Sequence, residues 1–184
     1  MTDTIEIDLA RILRAAAFAA DRHRYQKRKD KDATPYVNHP LAVADVLAGV
    51  GGVTDVDVLV AALLHDTVED TDTSPEEIER LFGATVRQLV DEVSDDKSLP
   101  KAERKQLQVE HAATASDEAK LLKLGDKICN VSDVVSDPPA DWPTERRREY
   151  LDWSEQVVAG CRGTNGALEA RFDELVGEGR TSLA

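Results

Sequence analysis

Residues 55–70 read DVDVLVAALLHDTVED, and this stretch decides the fold. Its apolar part has hydrophobic residues on nearly every side, and a helix of that kind lies at the centre of a domain. The β-branched residues of VDVLV also suit a strand, but the Ala-Ala-Leu-Leu continuation favours a helix. The segment therefore predicts a buried central helix over 55–70 whose end turns abruptly polar.

Helical periodicity continues on both sides of this segment. Apolar residues recur at steps of three and four from Ile5 onward. Ser74-Pro75-Glu76-Glu77 reads as a capping box, and Ser116 is placed to cap a later helix. The sequence thus predicts one all-α domain of about eight helices over residues 1–184. We expect its core to span about residues 5–176 and its C-terminal tail, GEGRTSLA, to be frayed.

Composition narrows the class of protein. The chain has 184 residues, 41% hydrophobic and 32% charged, which suits one soluble globular domain. Its two cysteines, Cys129 and Cys161, lack CxxC spacing and favour a reducing, cytoplasmic setting. No apolar stretch reaches the length expected of a membrane span, and we expect the acidic N-terminal residues MTDTIEIDLA not to be a secretory signal. A net charge of −13 disfavours a nucleic-acid partner but not a small anionic substrate. The oligomeric state stays open.

The pair His65-Asp66 is the strongest chemical feature, because it follows a long apolar run. Burying such groups costs several kcal/mol unless they are paired or bind a metal. Imidazole with carboxylate is a standard ligand set for Mn²⁺, Fe²⁺ or Zn²⁺. Glu69 lies four residues after His65, and Asp70 lies four residues after Asp66, so each pair shares a predicted helix face. There the two carboxylates can activate water or relay a proton. The alternative is a solvated acidic helix end.

Two further candidates lie far away in the chain. His39 stands in YVNHP and Asp126 in KLGDK, and each alone is weak evidence, because an Asp before a Lys on an amphipathic helix is usually a surface residue. Asn130, one turn after Asp126 on the same face, strengthens the case for Asp126. We expect His23 to pack or to support a ligand, and His111 to lie on the surface.

Basic residues form a third group. They lie in the first loop, around 95–105, and near Tyr150, and comprise Arg28, Lys29, Lys97, Lys101, Arg104, Lys105, Arg146, Arg147 and Arg148. In so acidic a chain these cations can form a phosphate-binding rim, and the ring of Tyr150 can stack on a nucleotide base. The alternative is that they lie on solvated faces and pair with nearby acidic residues.

Taken together, these motifs resemble the small alarmone hydrolases, which are stand-alone HD hydrolase domains related to the hydrolase half of RelA/SpoT enzymes and include the metazoan SpoT homologue. The resemblance covers about residues 9–175. It rests on the ordered set QKRKD, TPYVNHP, AALLHDTVEDT, FGATV, DDKSLPKAERKQLQ, AKLLKLGDKICN and RGTN.

The resemblance implies an HD-domain helical fold and one Mn²⁺ per chain. It implies a cytoplasmic enzyme of the stringent response that removes the 3′-pyrophosphate of the alarmone nucleotide (p)ppGpp, giving GDP or GTP and pyrophosphate. By position, the metal ligands would be His39, His65, Asp66 and Asp126, and the catalytic pair Glu69 and Asp70. The residues near the substrate would be Arg28, Lys29, Lys101, Asn130, Arg146 and Tyr150.

Two departures from the family pattern leave the preferred nucleotide open. Gly125 and Ser132 stand where many relatives have Ala and Arg. The alternatives are a related phosphatase acting on (p)ppApp or NADPH, and a non-catalytic nucleotide sensor. A sensor is disfavoured, since all six metal-ligand and catalytic positions carry the family's residues.

Overall fold

Ten helices make up this computed structural model, which describes the backbone of residues 2–184 and the side chains of residues 8–184. They are α1 (Thr2–Arg22), α2 (Asn38–Gly49), α3 (Val56–Leu64), α4 (Thr67–Asp70), α5 (Pro75–Phe82), α6 (Ala84–Val93), α7 (Lys101–Ala112), α8 (Asp117–Ser136), α9 (Thr144–Ala159) and α10 (Gly166–Ser182). The all-α prediction is confirmed, and the described residues form ten helices where about eight were expected. Ile5 lies outside the described side chains. Among the described helices, none has the length and apolar character to cross a membrane.

Helices α3 and α8 form the centre of the domain. The α3 side chains from Val60 to Leu64 are buried, and α3 packs against α1, α2, α6 and α8. Helix α8 packs against α2, α3, α6, α9 and α10. The prediction of a central buried helix is therefore confirmed, and any polar group at the end of α3 lies next to the core.

The prediction of one continuous helix over 55–70 is wrong. Helix α3 ends at Leu64, and the short helix α4 begins at Thr67. The imidazole of His65 bonds through Nδ1 to the Ala62 carbonyl at 2.7 Å, and the Thr67 hydroxyl donates to the Leu64 carbonyl at 2.6 Å. Side chains thus satisfy carbonyls that are left without partners where a helix ends.

Gly125 lies where α8 crosses α2 closely. A Cβ atom on this residue would lie 3.1 Å from Leu47 and 3.2 Å from Val43, both on α2. The departure to glycine weakens α8 by up to about 1 kcal/mol through its helix propensity. In return it leaves room for Leu47 and Val43, so that α8 brings Asp126 against the first turn of α2.

The C-terminal tail is ordered helix, so the expectation of a frayed tail is wrong. Helix α10 runs to Ser182, and Leu183 is only 4% exposed. Asn165 begins this helix, because its Oδ1 accepts from the amides of Ala167 and Leu168, while its Nδ2 donates to the Gly51 carbonyl at 2.8 Å. These long-range contacts dock α10, and a reading of the tail's composition does not reveal them.

Two glycines of α10 test this docking. A Cβ atom added at Gly177 would meet nothing within 4 Å, so Gly177→Ala should raise the free energy of unfolding by about 0.5–1 kcal/mol. At Gly179 the added Cβ would lie 2.8 Å from Val135 and 3.0 Å from Leu151, and overpacking costs about 1–3 kcal/mol. Gly179→Ala should therefore lower the free energy of unfolding in urea. Equal stabilisation by both changes would show that the tail is not packed.

Candidate metal centre and active site

Three separate parts of the chain bring His39, His65, Asp66 and Asp126 together. His39 lies in the first turn of α2, His65 and Asp66 lie between α3 and α4, and Asp126 lies within α8. The His39 Nε2 atom is 3.1 Å from Asp126 Oδ1 and 3.7 Å from Asp66 Oδ2. The His65 Nε2 atom is 3.0 Å from Asp66 Oδ2 and 4.0 Å from Asp126 Oδ1. Two imidazoles and two carboxylates thus converge on one point.

The surroundings of His65 suit a positive charge. Because Nδ1 lies against the Ala62 carbonyl, the ring is oriented with Nε2 towards the carboxylates of Asp66 and Asp126. That Nε2 atom is buried, and within the described part of the chain its short approach is to Asp66 Oδ2, at 3.0 Å but without the geometry of a well-directed hydrogen bond. Burial lowers the pKa of His65, but Asp66 and Asp126 outweigh it and raise the pKa to about 9. The site therefore favours positive charge.

Both carboxylates are oriented by neighbouring polar groups. The Tyr36 hydroxyl donates to Asp66 Oδ2 at 2.6 Å. Asn130 Nδ2 donates to Asp126 Oδ1 at 2.5 Å, and Lys127 Nζ donates to Asp126 Oδ2 at 2.8 Å. Burial works against ionisation of Asp126, yet Lys127 and His39 hold its pKa well below the usual range. Both aspartates are therefore anionic at neutral pH, since the His65 imidazole likewise lowers the pKa of Asp66 against its burial.

Glu69 and Asp70 lie beside this cluster and face different spaces. The sequence predicted that they share a helix face with His65 and Asp66. That prediction is wrong, because α3 ends at Leu64. Glu69 lines the same cavity as the cluster, whereas Asp70 lines an adjoining cavity. Burial raises the pKa of Glu69, against the lowering effect of the Asp95 amide and of Lys97. Glu69 is thus the better placed of the two to accept a proton at the cluster.

The shared cavity has a volume of about 340 Å³ and a basic wall. That wall comes from α7, α8 and α9 and consists of Lys101, Arg104, Lys105, Lys123, Lys127 and Arg146. Four of these cations form no ion pair with any acidic side chain among residues 8–184, namely Lys101, Lys105, Lys123 and Arg146. Burial and the nearby Arg146 and Lys29 lower the pKa of Lys101. A concentration of unpaired positive charge in a chain of net charge −13 is suited to an anionic ligand.

The six predicted substrate-binding residues divide between the two cavities. Lys101, Asn130, Arg146 and Tyr150 line the shared cavity. Arg28 and Lys29 line the adjoining one, which also includes Asn130 and Tyr150. Arg28 donates to Asn130 Oδ1 at 3.1 Å and pairs with Asp133, so its guanidinium already has protein partners. Arg147 and Arg148 donate instead to the backbone carbonyls of Val134 and Leu183.

Several residues of the site were missed from the sequence. Tyr36 was part of the TPYVNHP motif but was given no role, and Gln26 was part of QKRKD. Lys127 is 5% exposed, with its ammonium 4.6 Å from the Trp153 ring centre. The sequence analysis named Asp126 as a candidate but gave Lys127 no role, because no local pattern indicates that the tryptophan covers this lysine.

His23 supports the site at a distance, as expected. Its buried ring packs against Tyr36 with the ring centres 4.9 Å apart, and Nδ1 lies 2.7 Å from Gln26 Oε1. Gln26 in turn donates to Asp70 Oδ2 at 2.8 Å. His111 is exposed, which confirms its predicted surface position.

Comparison with known proteins agrees with this geometry. The family model of the HD domain matches residues 15–153. The guanosine-3′,5′-bis(diphosphate) 3′-pyrophosphohydrolase MESH1 of Xenopus tropicalis is 55% identical over 168 residues, which cover 91% of this chain and 94% of that protein. The protein of the same name from Homo sapiens is 54% identical over 168 residues, with the same coverage of 91% and 94%.

A solved structure extends the likeness to three dimensions. It belongs to a metazoan orthologue of SpoT described as hydrolysing ppGpp and playing a role in starvation responses. It superposes with a TM-score of 0.88 at 51% identity, over 90% of this chain and 93% of that chain. The chain therefore belongs to the HD domain family, within the branch that includes the MESH1 proteins.

Proposed function

We propose that this protein hydrolyses (p)ppGpp at its 3′-pyrophosphate, releasing pyrophosphate and GDP or GTP, and so degrades the alarmone of the stringent response. The observation that carries the proposal is the placement of the His–Asp cluster and four unpaired cations in one cavity. Relatives at about 55% identity, named for this activity, support the choice of substrate. A substrate with several phosphates matches a cavity that holds both a cluster able to bind a metal and a set of cations able to bind phosphate oxygens.

The residues present fit a divalent metal, for which we propose Mn²⁺. Ligand atoms of His39, His65 and Asp126 lie within 4.8 Å of one another, and Asp66 adds a second carboxylate at the same point. The buried Nε2 of His65 lies 3.0 Å from Asp66 Oδ2 without a well-directed hydrogen bond, which is the kind of contact that a shared metal replaces. A bound divalent ion there supplies Lewis-acid polarisation of a phosphate oxygen and makes water easier to deprotonate.

The protein's own groups divide the remaining work. Water attacks the phosphorus bonded to the ribose 3′-oxygen, that phosphorus–oxygen bond breaks, and the 3′-oxygen takes up one proton, which balances the proton that the attacking water gives up. Glu69 accepts the proton of the attacking water, and its raised pKa brings it closer to the working pH. Asp70 acts beside it as the second member of the catalytic pair.

The basic wall and the aromatic side chains hold the substrate. Lys101 and Arg146 bind phosphate oxygens, and Tyr150, packed at 5.6 Å against Trp142, contributes an aromatic surface for the base. Arg28, Lys29 and Asn130 border the adjoining cavity, which accommodates the part of the nucleotide farther from the metal. These contacts account for recognition of a small nucleotide.

We further propose that residues 1–184 act as a single HD domain located in the cytoplasm. Both cysteines are buried and unpaired, which agrees with a reducing compartment. Its partner in this proposal is the small-molecule nucleotide, and neither a nucleic acid nor a membrane is required.

A substrate panel tests the proposed function directly. With Mn²⁺, the wild-type protein should convert ppGpp to GDP and pyrophosphate and pppGpp to GTP and pyrophosphate, as resolved by anion-exchange chromatography. The same assay should include ppApp and NADPH. Turnover of ppApp or NADPH with none of ppGpp would transfer the proposal to that nucleotide, and binding without any turnover would favour the sensor.

Glu69→Gln separates chemistry from metal binding. The change keeps the shape of the side chain but removes the proton acceptor, so kcat should fall at least ~10²-fold. Metal content should stay near that of wild type, because Glu69 is not a proposed ligand. The exposed Glu118 on α8 offers a matched control, and Glu118→Gln should leave kcat unchanged. Loss of metal in Glu69→Gln would instead make Glu69 a ligand.

The metal site has a readout that is independent of activity. Mn²⁺ at ~100 times its Kd stabilises the protein that binds it by about 2.7 kcal/mol, which raises Tm by roughly 5–10 °C in a chain of this size. His65→Ala removes one proposed ligand and should abolish that rise in a thermal melt after chelation with EDTA and dialysis. His111→Ala should retain the rise in full. An undiminished rise in His65→Ala would contradict the proposed ligand set.

A further inference from the structure

Lys97 links the two carboxylates of the proposed catalytic pair. It lies in the loop between α6 and α7, and its Nζ atom is 3.0 Å from Glu69 Oε1 and 2.7 Å from Asp70 Oδ1. The Lys97 side chain is 48% exposed, whereas those of Glu69 and Asp70 are 16% and 18% exposed. One ammonium group that reaches in from solvent therefore neutralises two largely buried carboxylates.

The remaining oxygen of each carboxylate also has a donor. Glu69 Oε2 accepts from the backbone amide of Asp95 at 3.0 Å, and Asp70 Oδ2 accepts from Gln26 Nε2 at 2.8 Å. An ionised carboxylate is acceptor-only, so donors at both oxygens favour the anion and fix its orientation. Lys97 supplies one of the two donors in each case.

Local backbone structure alone is a weak constraint on this pair. Both residues belong to α4, which has only four residues and ends at Asp70. Of the neighbouring charges, Asp66 repels Glu69, and Arg104 has its Nη1 atom 4.0 Å from Glu69 Oε1 and 3.6 Å from Asp95 Oδ2. Arg104 is thus shared with Asp95, and Lys97 remains the cation that contacts both Glu69 and Asp70.

We propose that Lys97 is a positioning residue for the hydrolysis. It holds the Glu69 carboxylate as an anion directed into the cavity, and it screens the Glu69-Asp70 pair from the phosphates of an incoming nucleotide. Lys97 acts through Glu69 and Asp70 and does not touch the reacting atoms. The inference rests on the proposed function, because it assigns Lys97 to the same reaction.

The test compares Lys97→Met, which removes the charge but keeps most of the unbranched side chain, with Lys97→Arg, which keeps the charge. We expect Lys97→Met to lower kcat for ppGpp about 10- to 100-fold, with a smaller change in KM and unchanged Mn²⁺ content. Lys97→Arg should restore most of kcat. Lys31→Ala removes one exposed positive charge from another loop and should behave as wild type.

A double-mutant cycle shows whether Lys97 acts through its partner. In a Glu69→Gln background, Lys97→Met should cost a smaller factor in kcat than it does in the wild type, because part of its target is already gone. Equal factors in the two backgrounds would overturn the proposal. So would an unchanged kcat in Lys97→Met, a loss of metal that parallels the loss of kcat, or an increase confined to KM.

Failure of the proposed function has a different signature. Wild-type protein that cleaves ppApp or NADPH but leaves ppGpp intact would overturn the choice of substrate, and the Lys97 series would then be measured on the nucleotide that is cleaved. If the wild-type protein with Mn²⁺ bound turns over none of these nucleotides, both the proposed function and the proposed role of Lys97 are overturned, since a positioning residue requires a reaction.

Discussion

The structure depends on placing two carboxylates and two imidazoles at the edge of an apolar core. Asp66 and Asp126 are 17% and 20% exposed in their side chains, and His39 and His65 are less exposed still. Charge at that depth costs several kcal/mol unless partners are supplied. Tyr36 and Lys127 contribute such partners by donating to the two aspartates, so the packing of α2, α8 and the first loop is adapted to the cluster.

The break between α3 and α4 follows from the same constraint. In a continuous helix, the carbonyls of Ala62 and Leu64 would accept from the backbone amides four residues later. Here His65 and Thr67 take up the carbonyls of Ala62 and Leu64 with their side chains. The bond from His65 to Ala62 thus contributes to the helix end and also fixes the orientation of the imidazole, so that secondary structure and ligand geometry are set together.

Sequence alone predicted what is local or strongly patterned. The helical class, the caps at Ser74 and Ser116 and the central position of α3 follow from periodicity and capping chemistry. Contacts between distant parts of the chain were not predictable in this way. The packing of Gly179 against α8 and α9 and the covering of Lys127 by Trp153 depend on helix crossings that no local pattern encodes. The ligand set was proposed through family resemblance, because His39 and Asp126 are 87 residues apart.

The cavity also shows how an acidic protein can select an anionic substrate. A net charge of −13 repels polyphosphates at long range, but over a Debye length of about 8 Å at physiological salt the local arrangement dominates. The carboxylates of the cluster and the unpaired cations Lys101 and Arg146 line the same cavity. A phosphate ligand without a cation would be stabilised only by the basic wall, and a cation without phosphates only by the His–Asp cluster. The wall and the cluster together favour binding of a polyphosphate with a divalent cation, which is the pairing that phosphoryl chemistry uses.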